Sequence, residues 1–206
     1  MKIILDNLGR RFNKEWIFRN IAYTFSQGQQ YAILGPNGSG KSTLLSVLLG
    51  NLSPSEGKIT YQTEGKEILP EHIFRHISLA APYLDLIEEF TLQETIDFHF
   101  KFKDYQKGFD AAAVLDLLAL NKAEDKPLKY FSSGMKQRTK LALAFCTDTP
   151  ILVLDEPTSN LDAQGTDWYL NLIENFAKNR LLLVGSNQSY EYNFCKHQLN
   201  ILDYKK

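Results

Sequence analysis

Nine consecutive residues, Gly35-Pro36-Asn37-Gly38-Ser39-Gly40-Lys41-Ser42-Thr43, have the types and spacing for phosphate chemistry. An apolar run, Tyr31-Ala32-Ile33-Leu34, precedes them, and Leu44-Leu45-Ser46-Val47-Leu48-Leu49 follows with helical character. Strand, glycine-rich turn, Lys-Ser and helix make up a phosphate-binding loop in its expected context. The glycines let backbone N–H groups converge on phosphate oxygens without a Cβ in the way. The start of the following helix offers free N–H groups and a positive dipole end to the same anion. Lys41 is placed to reach the β- and γ-phosphates of a nucleotide, and the Ser42 hydroxyl to ligate Mg²⁺.

A second chemical feature follows Ile151-Leu152-Val153-Leu154, a continuous apolar run that reads as a strand buried on both faces. Asp155-Glu156 comes directly after it, where ligands of α/β sheets lie. Asp155 can hold a Mg²⁺ shell, and Glu156 can orient or deprotonate an attacking water. A third feature, Phe131-Ser132-Ser133-Gly134-Met135-Lys136-Gln137-Arg138, opens a helix with a serine and a glycine, a second anion-binding helix start. His72, His76, His99 and His197 have no carboxylate or cysteine at ligand spacing, so no metal site is expected of them.

The elements that must position these groups can be read from periodicity and punctuation. Residues 2–5 and 17–25 read as strands around a polar turn, Arg10-Arg11-Phe12-Asn13-Lys14. Residues 29–34 form the strand feeding the loop, and the helix from Lys41 should stop near Gly50. Residues 58–62 read as a strand with a hairpin tip at Thr63-Glu64-Gly65-Lys66, and 76–80 as another strand. From about Pro82 the character becomes helical: Leu92–Phe102 behind the cap Thr91, Phe109–Leu120, and Ser132–Phe145. Residues 163–177 read as helix, Leu181–Val184 as a buried strand, and 198–203 close the domain.

With 206 residues, 44% of them hydrophobic, the chain can bury a core with a smaller lobe. Lys and Arg number 23 against 24 Asp and Glu, a balance that argues against a broad nucleic-acid surface. Cys146 and Cys195 stand in no metal or redox spacing, so free thiols in a reducing compartment are expected. The first residues do not read as a signal peptide, and no apolar run reaches the ~20 residues of a membrane helix. A soluble, cytoplasmic protein is expected; if it serves transport, another chain must form the path.

In this order the three features resemble the ATP-binding cassette (ABC) ATPases over nearly the whole chain. Phe131 to Met135 is similar to that family's signature motif, and Pro157-Thr158-Ser159-Asn160-Leu161-Asp162 to its D-loop. The resemblance implies an α/β fold: a P-loop NTPase core with a mostly parallel sheet, an antiparallel β subdomain and an α-helical insertion lobe. One domain would then span 1–206, with 1–81 and 146–206 as core and 82–145 as the helical lobe. By the same resemblance Gly35, Pro36, Asn37, Gly38, Ser39, Gly40, Lys41, Ser42 and Thr43 hold ATP, and Ser42 and Asp155 hold Mg²⁺. Phe12 falls where the family stacks an aromatic on adenine, with Trp16 as second candidate. Ser132 and Gly134 would contact the γ-phosphate bound to a second subunit, and Asp162 would couple the two sites. The implied partners are a second copy in a head-to-tail homodimer and a transmembrane permease at the inner face of the membrane. Leu84, Leu86, Ile87 and Phe90 are candidates for the permease groove, and no nucleic acid is expected.

Three departures stand out. The signature has Ser133 and Met135 where the family has glycine and glutamine. Pro82 stands where it has a glutamine, and proline has no side-chain oxygen for a metal or water. Asn187, after Ser186, replaces a histidine; its amide can bond the γ-phosphate but cannot carry a proton. ATP binding with slower or differently tuned hydrolysis by Glu156, Lys41 and Asn187 is expected. The alternatives are a soluble ABC-type ATPase acting on ribosome or DNA, or a nucleotide-gated subunit that scarcely hydrolyses. One short cassette leans to export, of a substance that the sequence leaves open.

Overall fold

The structure is a computed structural model that describes residues 1–205. In chain order its elements are β1 (Lys2–Phe12), β2 (Glu15–Ser26), β3 (Gln30–Leu34), α1 (Lys41–Leu48), β4 (Glu56–Thr63), β5 (Lys66–Ile68) and β6 (Ile77–Ala80). They continue with α2 (Leu92–His99), α3 (Ala111–Leu118), α4 (Ser133–Cys146), β7 (Ile151–Asp155), α5 (Ala163–Phe176), β8 (Leu181–Gly185) and β9 (His197–Asn200). The chain divides into two units: Met1–Ile77 with Pro150–Glu156 and Asn179–Lys206, and Ser78–Thr149 with Pro157–Lys178. The second takes in the expected lobe, 82–145, and adds α5, which the sequence reading left with the core. Its packing explains the difference: Trp168 of α5 donates its indole N–H to Leu117 O at 3.0 Å, and Arg138 of α4 lies 4.7 Å over the same ring.

The first unit holds an antiparallel sheet in the order β2-β1-β4-β5, and the parallel neighbours β7, β8, β3 and β9. All ten residues of β7 and β8 are buried, as continuous apolar runs demand. Each fully buried Leu, Ile or Val there contributes on the order of 2 kcal/mol, so these strands hold the middle of the sheet. The expected turn at 10–14 shrinks to Asn13-Lys14, because Asn13 takes the left-handed conformation (φ 53°) and closes the hairpin by itself. Arg10, Arg11 and Phe12 are strand residues instead, with the Arg10 guanidinium 4.6 Å over the Phe12 ring and Arg19 4.6 Å over Trp16. After α1 the chain stops as Gly50 predicts. Gly50 has φ 75°, its N–H bonds Val47 O at 3.0 Å, and Asn51 N–H bonds Ser46 O at 3.0 Å, a Schellman closure.

The second unit is helical, with a core of Leu92, Ile96, Val114, Leu118, Leu128 and Ala142. Thr91 caps α2 in a full capping box with Glu94. The helix ends at His99, earlier than Phe102, because the chain turns back to stack Phe100 on Tyr105, ring centroids 3.6 Å apart. Among the described residues no helix is long and apolar enough to cross a membrane.

His99 bonds Thr147 Oγ1 at 2.9 Å, and that hydroxyl already donates to Leu143 O at 2.6 Å. The imidazole must therefore donate from Nε2. Burial, with Lys103 nearby, pushes its pKa down from 6.5 to about 4. A depressed histidine binds fewer protons folded than unfolded between those values, so its contribution is complete above pH 6.5 and fades as pH falls toward 4. Urea unfolding from pH 7.5 to 4.5 should show a shallower loss of stability in His99→Gln than in the wild type.

Candidate active site

Three loops leave the carboxyl ends of adjacent parallel strands in the first unit. The phosphate loop follows β3, Glu156 follows β7, and Ser186-Asn187 follows β8. Register locks them together: Ile33 pairs with Gly185, and Asp155 pairs with the same Gly185. Gly185 has no room for a side chain, since a Cβ would lie 2.7 Å from Leu45 Cδ1 and 2.9 Å from Asp155 Oδ1. Glu156 has φ 42°, and its N–H bonds Gly185 O at 2.8 Å, which turns the chain sharply out of β7.

The loop encloses a cavity of about 340 Å³ lined by Asn37, Gly38, Gly40, Lys41, Ser42, Thr43, Glu156 and Ile17. Sequence reading missed Ile17; the signal was the alternation of β2, which turns it away from the buried Phe18. Lys41 is 4% exposed, and its ammonium donates to Gly35 O at 3.0 Å and Pro36 O at 3.3 Å. Asp155 is 1% exposed, at the end of β7. Asn187 donates to Asn37 Oδ1 at 3.0 Å. Phe12 ends β1, is 46% exposed and is not among the lining residues of this cavity.

Among the described α-helices, the starts set this loop apart. Thr91, Asp110, Ser132 and Asp162 each cap their helix through a side chain that accepts a backbone N–H. α1 begins at Gly40 with φ 111° and has no side-chain cap. Its first-turn N–H groups are therefore left to whatever enters the cavity. The Ser39 hydroxyl is buried without a hydrogen-bond partner among the described residues, and a Cβ on Gly38 would meet nothing within 4 Å. Donors without acceptors, a buried cation and open room beside a glycine fit the phosphates of a nucleotide. Ser42 and Asp155 offer the oxygen ligands that Mg²⁺ requires.

Ser132, Gly134 and Asp162 belong to the second unit. Ser132 Oγ accepts from Met135 N at 3.2 Å, which leaves its hydroxyl hydrogen as a donor. Gly134 runs against the D-loop: a Cβ there would lie 2.9 Å from Asn160 O. Gln137, 2% exposed, donates to Pro157 O at 2.9 Å and holds the same loop. Asp162 accepts from Gly165 N at 2.8 Å. Pro82 offers only its carbonyl, to Lys140 Nζ at 2.8 Å. Leu84 and Leu86 line a polar cavity with Pro82, and Leu86 also lines, with Ile87 and Phe90, an apolar one of about 260 Å³ together with Phe98 and Phe102.

The family model described as ABC transporter matches residues 18–159. The chain is 34% identical over 166 residues to the cytochrome c biogenesis ATP-binding export protein CcmA of Brucella abortus, 79% of this chain and 74% of that protein. It is 29% identical over 184 residues to the uncharacterized ABC transporter ATP-binding protein YcbN of Bacillus subtilis, where it spans 88% of this chain but only 60% of the relative. Its fold matches a dimeric ATP-binding cassette solved with ADP and Pi, with a TM-score of 0.82 at 20% identity over 97% of this chain and 94% of the other.

The contact at Gly134 yields a measurable contrast. Gly134→Ala should cost about 1–3 kcal/mol despite alanine's higher helix propensity, because the methyl group meets a backbone oxygen. Ser133→Ala, one residue earlier and exposed, should change stability by less than about 0.5 kcal/mol. Equal urea midpoints for the two variants would contradict the close approach.

Proposed function

This chain belongs to the ABC transporter family, whose ATP-binding fold it carries, and from that premise we propose that it is the ATP-hydrolysing subunit of an exporter. One observation carries the reading: among the described α-helices, α1 alone starts without a side-chain cap, above a buried lysine and beside Glu156. A cavity built of unpaired donors binds an anion, and a carboxylate beside it does work on water.

The residues divide the task. The N–H groups of Lys41, Ser42 and Thr43 and the Lys41 ammonium hold the β- and γ-phosphates of ATP. Ser42 and Asp155 hold Mg²⁺, which would neutralise charge developing on the transferred phosphoryl group. Glu156, turned out of β7 by its left-handed backbone, orients water toward the γ-phosphorus, and ADP and phosphate leave. Phe12 stacks on the adenine with the face that Arg10 leaves open. A second copy of the chain completes the site head to tail. Its Ser132 hydroxyl and Gly134 N–H meet the γ-phosphate, and its D-loop, fixed by Gly134, Gln137 and Asp162, follows the bound state.

The membrane partner is a permease; among the described residues no helix is long and apolar enough to span a bilayer. The apolar cavity lined by Leu86, Ile87, Phe90, Phe98 and Phe102 supports a docking place for one of its cytoplasmic helices. The name of the Brucella relative supports export over import. Pro82, with its carbonyl tied to Lys140, and Asn187 support slower hydrolysis than a site with glutamine and histidine.

Lys41→Ala should weaken ATP binding by at least about 100-fold in equilibrium titration, as loss of a buried charge-assisted contact demands. Glu156→Gln should bind ATP normally, lose turnover by about 10³-fold and elute as a dimer with ATP on a sizing column. A Glu156→Gln protein that remains monomeric at saturating ATP would remove the sandwich from this account.

A further inference from the structure

β3 and β8 are parallel neighbours, so their carboxyl ends release two loops side by side. One is the phosphate loop. The other begins at Ser186, which is fully buried, with its hydroxyl bonded to the Glu191 carboxylate and accepting from Gln188 N at 2.9 Å. The Ser186 N–H bonds Ile33 O at 3.2 Å. Asn187 is thus carried on a braced turn, and its amide reaches Asn37 Oδ1 at 3.0 Å. Asn37 lines the phosphate cavity together with Glu156.

This hydrogen bond does little for the fold. Both side chains are exposed, and an exposed neutral hydrogen bond adds little to stability. Its effect is local: it fixes the direction of the Asn37 amide at the tip of the loop, where Gly38 (φ 74°) has nothing crowding it. Two primary amides carry four N–H donors. One is spent between them, and three remain for an anion. None of them titrates near neutral pH, unlike an imidazole at the same place.

We propose that Asn187 is a positioning residue that acts through Asn37, and that the two amides form one uncharged clasp favouring triphosphate over diphosphate. The inference rests on the nucleotide reading above. Glu156 is the residue assigned to water at the terminal phosphate, and Asn37 shares its cavity, so the clasp faces the one phosphate that ADP lacks. Three consequences follow from the chemistry. The two asparagines act as a unit, so losing one is equivalent to losing both. The loss is felt by ATP and not by ADP. The clasp itself adds no titrating group to the site, where an imidazole would add one.

The test uses the intact chain with Asn37→Ala, Asn187→Ala, the double variant, Asn187→His and Lys41→Ala. Binding of MgATP and MgADP is measured at equilibrium, and kcat/KM for ATP from pH 5.5 to 8.5. Each single alanine variant should weaken ATP about five- to twentyfold and ADP less than about twofold, and the double variant should be no worse than the weaker single. Asn187→His should add an inflection near pH 6.5 to the wild-type profile. Losses that multiply in the double variant, equal losses for ATP and ADP, or wild-type affinities throughout would overturn the clasp. If Lys41→Ala abolishes ATP binding while the asparagine variants bind as the wild type does, the clasp alone fails. If Lys41→Ala also binds ATP normally, the nucleotide reading falls with it.

Discussion

The bare start of α1 is the constraint on which the rest depends. A helix leaves about four N–H groups unsatisfied at its first turn, and an ordinary helix silences them with a side-chain cap or water. Four of the five α-helices among the described residues do so with Thr91, Asp110, Ser132 and Asp162. Gly40 cannot. Its left-handed backbone aims the chain into the helix while contributing no oxygen, and Ile17 packs where a side chain would go, 2.4 Å from an ideal Cβ. The protein thereby keeps donors open where a triphosphate needs them, with the Lys41 charge parked on the Gly35 and Pro36 carbonyls.

The loops around that helix start are placed by strand register and by close approach at a glycine. β7, β8 and β3 lie in parallel register, so Glu156, Asn187 and the phosphate loop emerge at one edge. Gly185 allows the contact on its side, with Leu45 and Asp155 too close for any Cβ. In the second unit Gly134 does the same for the D-loop carbonyl of Asn160. This explains which glycine of the signature could be lost. Position 133 is exposed and tolerates serine, whereas position 134 faces a backbone oxygen.

Much of this was legible from residue types. The buried strands β7 and β8 announced themselves as continuous apolar runs, Thr91 with Glu94 marked α2, and Gly50 marked the end of α1. The phosphate loop and Asp155-Glu156 needed only spacing. Less legible was anything resting on a contact distant in sequence. Arg10 to Phe12 looked like a turn because charged residues suggest solvent, yet their guanidinium and aromatic groups lie over one another and let the strand run on. The helix α5 looked like part of the core, yet Trp168 ties it to α3 and α4.

The sequence by itself determined the candidate groups, because a glycine-rich loop with Lys-Ser, an acidic pair after an apolar strand and a capping serine are local patterns written over a few residues. The tertiary structure decided which of those groups share a cavity and which side chains hold them. Asn37 and Asn187 are 150 residues apart and meet only because β3 and β8 are neighbours in the sheet. Strand order is set by the burial of whole strands against each other, a non-local sum of many small terms, and no spacing along the chain encodes it.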